Sequence, residues 1–336
     1  MPASLVAHYG RRLGLSALRR RIYSTPHSPS ADLYIANACA DWIAEGRLRW
    51  RGPTVLTSDR AEVVVRHDAR AWPGSRRQRL IYVIDDDWRA ASADEGLSPY
   101  YRWKYGAVEV DAARWHLARA DAAVVSSPAV AEAVTATAPG LPVHQINPHW
   151  SAPMRDLGHH DRHERIDIAC LAGRVHRGDM GFLIPALTEI LDARPNVHVS
   201  LMQGHAEATG HPRLHIVPRM LWPAYRTWLS TFSAHIALYP LLPTPFNAGR
   251  SVNKLIEHAM IGAAAIYSDT WPTGRAAKEA GGALTADNRA EAWVEAALSL
   301  IDDAAARQRI AAAGQSHAAT LNDPAPQRAL WAQLLA

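Results

Sequence analysis

The sequence predicts an α/β protein of two Rossmann-like domains, each with a mostly parallel sheet, facing one another across a cleft. Three observations predict it. From Ile166 onward, short apolar runs of strand length alternate with amphipathic stretches of helix length, the pattern of a parallel sheet covered on both faces. The half before Asn147 has the same character at looser spacing. A chain of 336 residues, 48% of them hydrophobic, is large enough for two cores.

The elements follow in order. Near the N-terminus, Arg11, Arg12, Arg19, Arg20 and Arg21 alternate with Leu5, Val6, Leu13, Leu15 and Leu18. This reads either as a terminal helix with a solvated arginine face or as a basic segment resting on an anionic membrane surface. A proline-containing loop leads to a helix over 31–45, and strands follow over 54–56, 62–65, 80–84, 121–126 and 143–146. Between the last three lie a helical pattern over 100–119 and a helix opened by Pro128, proline being favoured in a first helical turn. Residues 147–165, with Pro148, Pro153, Gly158 and the cluster His159-His160-Asp161-Arg162-His163-Glu164, read as an interdomain linker. No second ligand cluster accompanies these histidines, so a solvated linker is the reading rather than a metal site. Strands over 166–172, 197–202, 215–217, 235–239 and 263–267 then alternate with helices, and an alanine-rich helical tail over 290–318 precedes a last helix near 327–335. The domain reading is 1–150, a linker 151–165, a second domain 166–320, and a terminal segment 321–336 that packs back on the first domain.

Composition excludes several classes. No apolar run reaches membrane-spanning length, and the N-terminus lacks a continuous apolar core of the secretory type. Cys39 and Cys170 stand alone, which fits a reducing cytoplasm and gives no metal-ligand spacing. The net charge of +4 comes without a basic stripe or RNA-binding motif, so nucleic acid is not an expected partner. Walker, Gly-x-Gly-x-x-Gly, His-Glu-x-x-His and Gly-x-Ser-x-Gly patterns do not occur after the relevant strands, which removes P-loop, dinucleotide, zinc-peptidase and serine-hydrolase readings.

In open α/β sheets, ligands bind outside the carboxyl ends of the strands. That rule selects two segments of the second half. Gly173-Arg174-Val175-His176-Arg177-Gly178-Asp179 joins a strand to a helix, with glycines for close backbone approach and two arginines for phosphate oxygens. The second segment runs from Pro245 to Gly262. Val252, Leu255, Ile256, Ala259 and Met260 give it one buried helical face, Ser251 is placed as N-cap and Gly262 as terminator. Arg250, Lys254 and Glu257 fall at i, i+4, i+7. The two cations suit a diphosphate and the carboxylate suits two ribose hydroxyls. Alone, the same residues make a solvated face with a surface Lys–Glu pair. In the first half, Asp85-Asp86-Asp87 end the 80–84 strand and offer acceptor binding or a general base, or a polar turn in which one aspartate caps the next helix. His67 with Asp68, and His27, are further base candidates.

With these motifs in place, the second half resembles the nucleotide-sugar-binding domain of GT-B glycosyltransferases, near family 4 and its relatives in bacterial surface-glycan synthesis. Gly173-Arg174 followed by Arg177-Gly178 is similar to that family's Gly-Arg…Lys-Gly loop, and Glu257-His258-Ala259-Met260-Ile261-Gly262 to its Glu-Ala-Met-Ala-x-Gly helix. The run from Ala263 to Asp269 resembles the strand that follows, and Ala120 to Ser127 an element of the first domain. The resemblance implies that Glu257 binds ribose, that Arg174, Arg177 and Lys254 hold the diphosphate with backbone N–H groups of Ser251 and Val252, and that Arg219 lies against the base. It implies transfer of a sugar from a nucleotide-diphosphate donor to a hydroxyl of a glycan or lipid-linked acceptor, without metal or cofactor; the protein is expected in the cytoplasm, and the arginine-rich N-terminal segment is what would place it at the inner face of the plasma membrane. Two departures stand out: Gly249 where the family carries a sugar-contacting glutamate, and Arg177 where it carries lysine. A nucleotide-sugar epimerase of the same fold and a non-catalytic GT-B-like subunit remain the alternatives.

Overall fold

The computed structural model describes residues 3–22, 28–66, 78–203 and 210–336, with the backbone alone at positions 12, 13, 15–22 and 174. The first sheet holds β1 (Arg49–Gly52), β2 (Val55–Thr57), β3 (Ala61–Val65), β4 (Arg79–Ile84), β5 (Ala122–Val125) and β6 (Val143–Gln145), side by side in chain order. Pairing is antiparallel from β1 to β3 and parallel from β3 to β6. Alternation along these strands separates two cores, because successive side chains point to opposite faces. Val63, Val65, Ile81, Val83, Ala122 and Val124 pack with Leu33, Ile35, Trp42 and Trp331. Val64, Leu80, Tyr82, Ile84, Ala123 and Val125 pack with Trp88, Leu97, Leu117 and Val134.

The second sheet holds β7 (Ile166–Cys170), β8 (Val197–Met202), β9 (Leu214–Val217), β10 (Ile236–Tyr239), β11 (Ala264–Ser268) and β12 (Ala283–Ala286). All are parallel, in the order β12-β11-β10-β7-β8-β9. The chain works outward from β7 in one direction, then returns to start β10 on its other side. β7 and β10 therefore flank a topological switch point, where connections leave toward opposite faces and open a crevice.

The helix expected over 31–45 is broken. It divides into Pro29–Ala31, a π-helical turn Asp32–Ala36, and Ala40–Ala44. The carbonyls that an α-helix would pair internally are taken by other parts of the chain. Leu33 O accepts from His149 N at 2.7 Å and from Gln327 Nε2 at 2.9 Å, and Tyr34 O accepts from Trp331 Nε1 at 2.8 Å. Gln327 and Trp331 belong to the last helix, Pro324–Leu335, which thus lies against the first domain. Two strands escaped the sequence reading. β1 is half exposed and has no apolar alternation, and β12 is alanine-rich without β-branched apolar residues.

Residues 158–161 correct the expectation of a solvated linker. Gly158–Asp161 is a 3₁₀ turn that buries both His159 and His160. Their Nε2 atoms face the carbonyl oxygens of Ala234, at 2.9 Å, and Gly262, at 2.8 Å, so each ring nitrogen there donates. Gly262 is required twice over. Its φ of +71° ends the preceding helix, and an added Cβ would lie 2.7 Å from His159 Cε1. At the N-terminus a helix spans Ala3–Ile22, anchored by Tyr9 edge-on against Tyr100 at 5.4 Å and near Trp103 at 5.6 Å. Among the described residues no helix is long and apolar enough to cross a membrane.

Candidate functional site at the switch point

The carboxyl ends of β7 and β10 bring both sequence-selected segments together. After β7 the chain forms a 3₁₀ turn, Arg174–His176, and a short helix, Arg177–Met180, rather than an open loop. After β10, Thr244 caps the helical turn Pro245–Ala248, and the helix Asn253–Met260 follows. The cap of that helix is Val252, not Ser251; the Ser251 hydroxyl accepts from Asn253 N at 3.4 Å. Lys254 Nζ donates to Leu171 O at 2.9 Å, so the second segment is tied to the end of β7. Lys254 also pairs with Glu257, whose Oε1 accepts from Tyr225 OH at 2.7 Å. Glu257 is buried; the surface Lys–Glu pair that the spacing allowed is an interior one. Arg177 and Arg219 are exposed, and Arg219 N donates to Gln203 Oε1 at 3.0 Å.

Arg250 departs from the face it was expected to share with Lys254 and Glu257. It precedes the helix, lies over the Phe246 ring at 4.1 Å, and reaches across to Asp86 Oδ1 at 3.0 Å. Phe246 itself is seated in the second core of the first domain, edge-on to Tyr105 at 5.7 Å. Gly249 O accepts from Ser127 Oγ at 2.8 Å, and Thr244 Oγ1 donates to Asp94 Oδ2 at 2.6 Å. The segment after β10 therefore carries much of the contact between the domains.

On the first-domain side the three aspartates differ. Asp87 is an N-cap, accepting from the backbone N–H groups of Arg89 and Ala90 at 3.0 and 2.9 Å. Asp85 and Asp86 belong to a buried charge network. Arg66 meets Asp85 at 3.2 Å, Asp86 at 2.9 Å and Glu109 at 3.4 Å, and Lys104 meets Glu109 at 2.6 Å. Ser30 Oγ donates to Asp85 Oδ2 at 2.5 Å and Tyr105 OH to Asp86 Oδ2 at 3.1 Å. Burial raises the Asp85 carboxyl above the usual carboxylate range, with Arg66 opposing it. Burial opposes charge on Asp86 as well, but Arg66 and Arg250 together hold it below that range. Three cations thus face three carboxylates, with the domains joined through one of the pairs.

Arg66, at the carboxyl end of β3 with φ +64°, was missed in the sequence although the strand-end rule points to it. Lys104, Tyr105 and Glu109 sit in a helical stretch where nothing in the sequence separates them from an ordinary polar face. His67 and His27 lie outside the described residues. Among the described residues no three His, Cys, Asp or Glu side chains gather as a metal-ligand set.

No protein-family model and no curated protein sequence matches the chain. Solved structures do. HepE of Anabaena aligns over 77% of this chain and 72% of its own, with a TM-score of 0.55 at 13% identity. The chain has the GT-B fold. Sucrose-phosphate synthase of Thermosynechococcus elongatus gives the same TM-score and identity over 77% and 67% of the two chains. TarM gives 0.55 at 8% identity, over 77% of this chain and 51% of that one. In GT-B terms the β7–β10 crevice lies in the second domain and faces the Asp85–Asp86 edge of the first.

Proposed function

We propose that the chain is a glycosyltransferase that moves a sugar from a nucleotide-diphosphate donor to a hydroxyl of a glycan or lipid-linked acceptor, using no metal or cofactor. What supports this is the position of two segments at the carboxyl ends of β7 and β10, on either side of the switch point: the turn that carries Arg177 and the segment that carries Arg250, Lys254 and Glu257, tied together by Lys254 Nζ on Leu171 O. Structures titled as complexes of HepE with UDP-glucose and of TarM with UDP support it, as bound ligands of similarly folded proteins. In this reading Arg174, Arg177, Lys254 and the backbone N–H groups at Ser251 and Val252 offset the charge that develops on the leaving diphosphate. Gly173 lets the backbone approach it, Glu257 binds the ribose, Arg219 flanks the base, and Asp85 is the acid–base candidate of the acceptor side.

The test is thermal shift and calorimetry with UDP and UDP-glucose. Glu257→Gln keeps the side-chain shape and is expected to weaken UDP by about tenfold or more, the loss of hydrogen bonds to a charged group. No stabilisation of the wild-type protein by any nucleoside diphosphate sinks the reading. One observation favours a second reading, the non-catalytic GT-B-like subunit: Phe246 fills first-domain core and Asp86 occupies Arg250. Release of free UDP only when acceptor is present decides between the two.

We also assign the Ala3–Ile22 helix to an anionic membrane surface at the cytoplasmic face, on its five arginines. Co-sedimentation with phosphatidylserine vesicles at low salt, lost at high salt, is the expected result. Absence of binding at low salt removes the assignment.

A further inference from the structure

We propose that Asp179 is a positioning residue that sets the spacing between the two anion-facing segments of the crevice, the turn after β7 and the segment after β10. The proposal rests on reading that crevice as the diphosphate site.

Asp179 is buried and receives three hydrogen bonds. His176 Nδ1 donates to its Oδ2 at 2.8 Å. Leu242 N and Asn247 Nδ2 both donate to its Oδ1, at 2.8 and 2.7 Å. One donor comes from its own turn and two come from the segment after β10. An ionised carboxylate is acceptor-only, which matches three donors and no acceptor. The connection continues outward. Asn247 N donates to Thr244 Oγ1 at 3.2 Å, and Thr244 Oγ1 donates to Asp94 in the first domain. Arg174 and Arg177 lie on the turn that contains Asp179, while Arg250 and Lys254 follow on the chain after Asn247. Asp179 thus bridges the two segments from the turn itself, beside the tie that Lys254 Nζ makes to Leu171 O at the end of β7, at the place where a diphosphate would touch both sides at once.

Asp179 also fixes a ring. With Nδ1–H held by the carboxylate, His176 Nε2 is an acceptor, and Tyr239 OH lies 3.4 Å from it. Burial lowers the His176 pKa to about 4, so the ring stays neutral. In Asp179→Asn the amide oxygen still serves Leu242 and Asn247, but its NH₂ meets a ring N–H. The ring must then adopt the other tautomer, or the contact is lost.

The experiment compares uridine, UMP and UDP on wild type and on Asp179→Ala, which removes the acceptors of Leu242 N and Asn247 Nδ2. Asp179→Asn is the variant that keeps those two bonds and should keep the wild-type ratio. Hydrogen exchange of all three proteins is followed in the absence of nucleotide. A spacing role predicts that in Asp179→Ala the UDP-to-UMP affinity ratio falls about tenfold or more while uridine changes little, because only the second phosphate needs both segments. Residues 174–179 and 240–250 should lose exchange protection together. In Asp179→Ala, a ratio kept within about twofold, or all three ligands weakened alike, overturns the proposal. So does loss of protection confined to 174–179. If wild type binds none of the three, the diphosphate reading fails first, and the exchange pattern still decides whether Asp179 couples the two segments.

Discussion

Placing a methyl group at Gly178 is expected to prise the two domains apart. A Cβ there would stand 2.4 Å from the carbonyl oxygen of Gly96 and 3.1 Å from its carbon. Both are backbone atoms, so no side chain can swing aside. Gly96 is itself held, its N–H on Asp94 Oδ1 at 2.8 Å, while Asp94 Oδ2 takes the Thr244 hydroxyl from the second domain. The added volume cannot be absorbed where it lands. Overpacking of this kind costs about 1–3 kcal/mol, and each cross-domain hydrogen bond stretched with it adds about 1 kcal/mol. Gly178→Ala should therefore increase the radius of gyration in small-angle scattering and lower the melting temperature by several degrees. Gly181→Ala is the control, since its Cβ would meet only Gly178 O at 3.3 Å, within the same turn. A scattering curve that superposes on wild type, with an unchanged melting temperature, would falsify the closed contact.

That contact shows where sequence reasoning stopped. The parallel parts of the two sheets were legible because β3, β4, β5, β7, β10 and β11 are mostly buried apolar residues, a signal that needs no partner to be read. The carboxyl-end rule then found the turn after β7 and the Pro245–Gly262 segment, since each follows such a run. What could not be read was which side chains cross between domains. Phe246 in another domain's core, Arg250 on Asp86 and Thr244 on Asp94 depend on how the two sheets dock, and no periodicity encodes that. His159 and His160 were misread for the same reason: their acceptors, the carbonyls of Ala234 and Gly262, are about 75 and 102 residues away in sequence and invisible to composition. The break at Asp32–Ala36 likewise comes from Gln327 and Trp331, near the far end of the chain.

The Arg250–Asp86 pair has a consequence for ligand binding at this site. An anion that recruits Arg250 must compete with Asp86 for it, and the network left behind would hold Arg66 and Lys104 against three carboxylates. Asp85, already raised by burial, is the member of that group best placed to take up a proton.

The fold should lose stability steeply between pH 7.5 and pH 5. His176 and His258 are both buried, and burial lowers their pKa values to about 4 and about 3, with Lys254 adding to the effect at His258. Neither ring nitrogen of His258 has a hydrogen-bond partner among the described residues; the ring is stacked on Tyr267 at 5.7 Å. In the unfolded chain both histidines titrate near 6.5. The folded values are depressed, so the neutral forms are the ones that folding favours. Their contribution is complete above about pH 6.5 and falls as the pH drops toward the folded values, because only the unfolded chain takes up protons in that interval. The slope is about 1.4 kcal/mol per pH unit for each ring, or about 2 kcal/mol each by pH 5. Together they remove a large share of a typical stability of roughly 5–15 kcal/mol. His160 and His235, lowered to about 4 chiefly by burial, act in the same direction. Asp85 acts against it, since its raised value means that acid favours the folded form at that carboxyl. Urea unfolding at pH 7.5 and pH 5.0 measures the difference. His258→Leu removes one titrating ring and both unpaired nitrogens while keeping an apolar side chain against Tyr267. Its stability should fall less steeply with acid than that of wild type, by about 2 kcal/mol over this interval. A wild-type protein equally stable at the two pH values, or a variant with an unchanged slope, rules out the buried neutral histidines as the source.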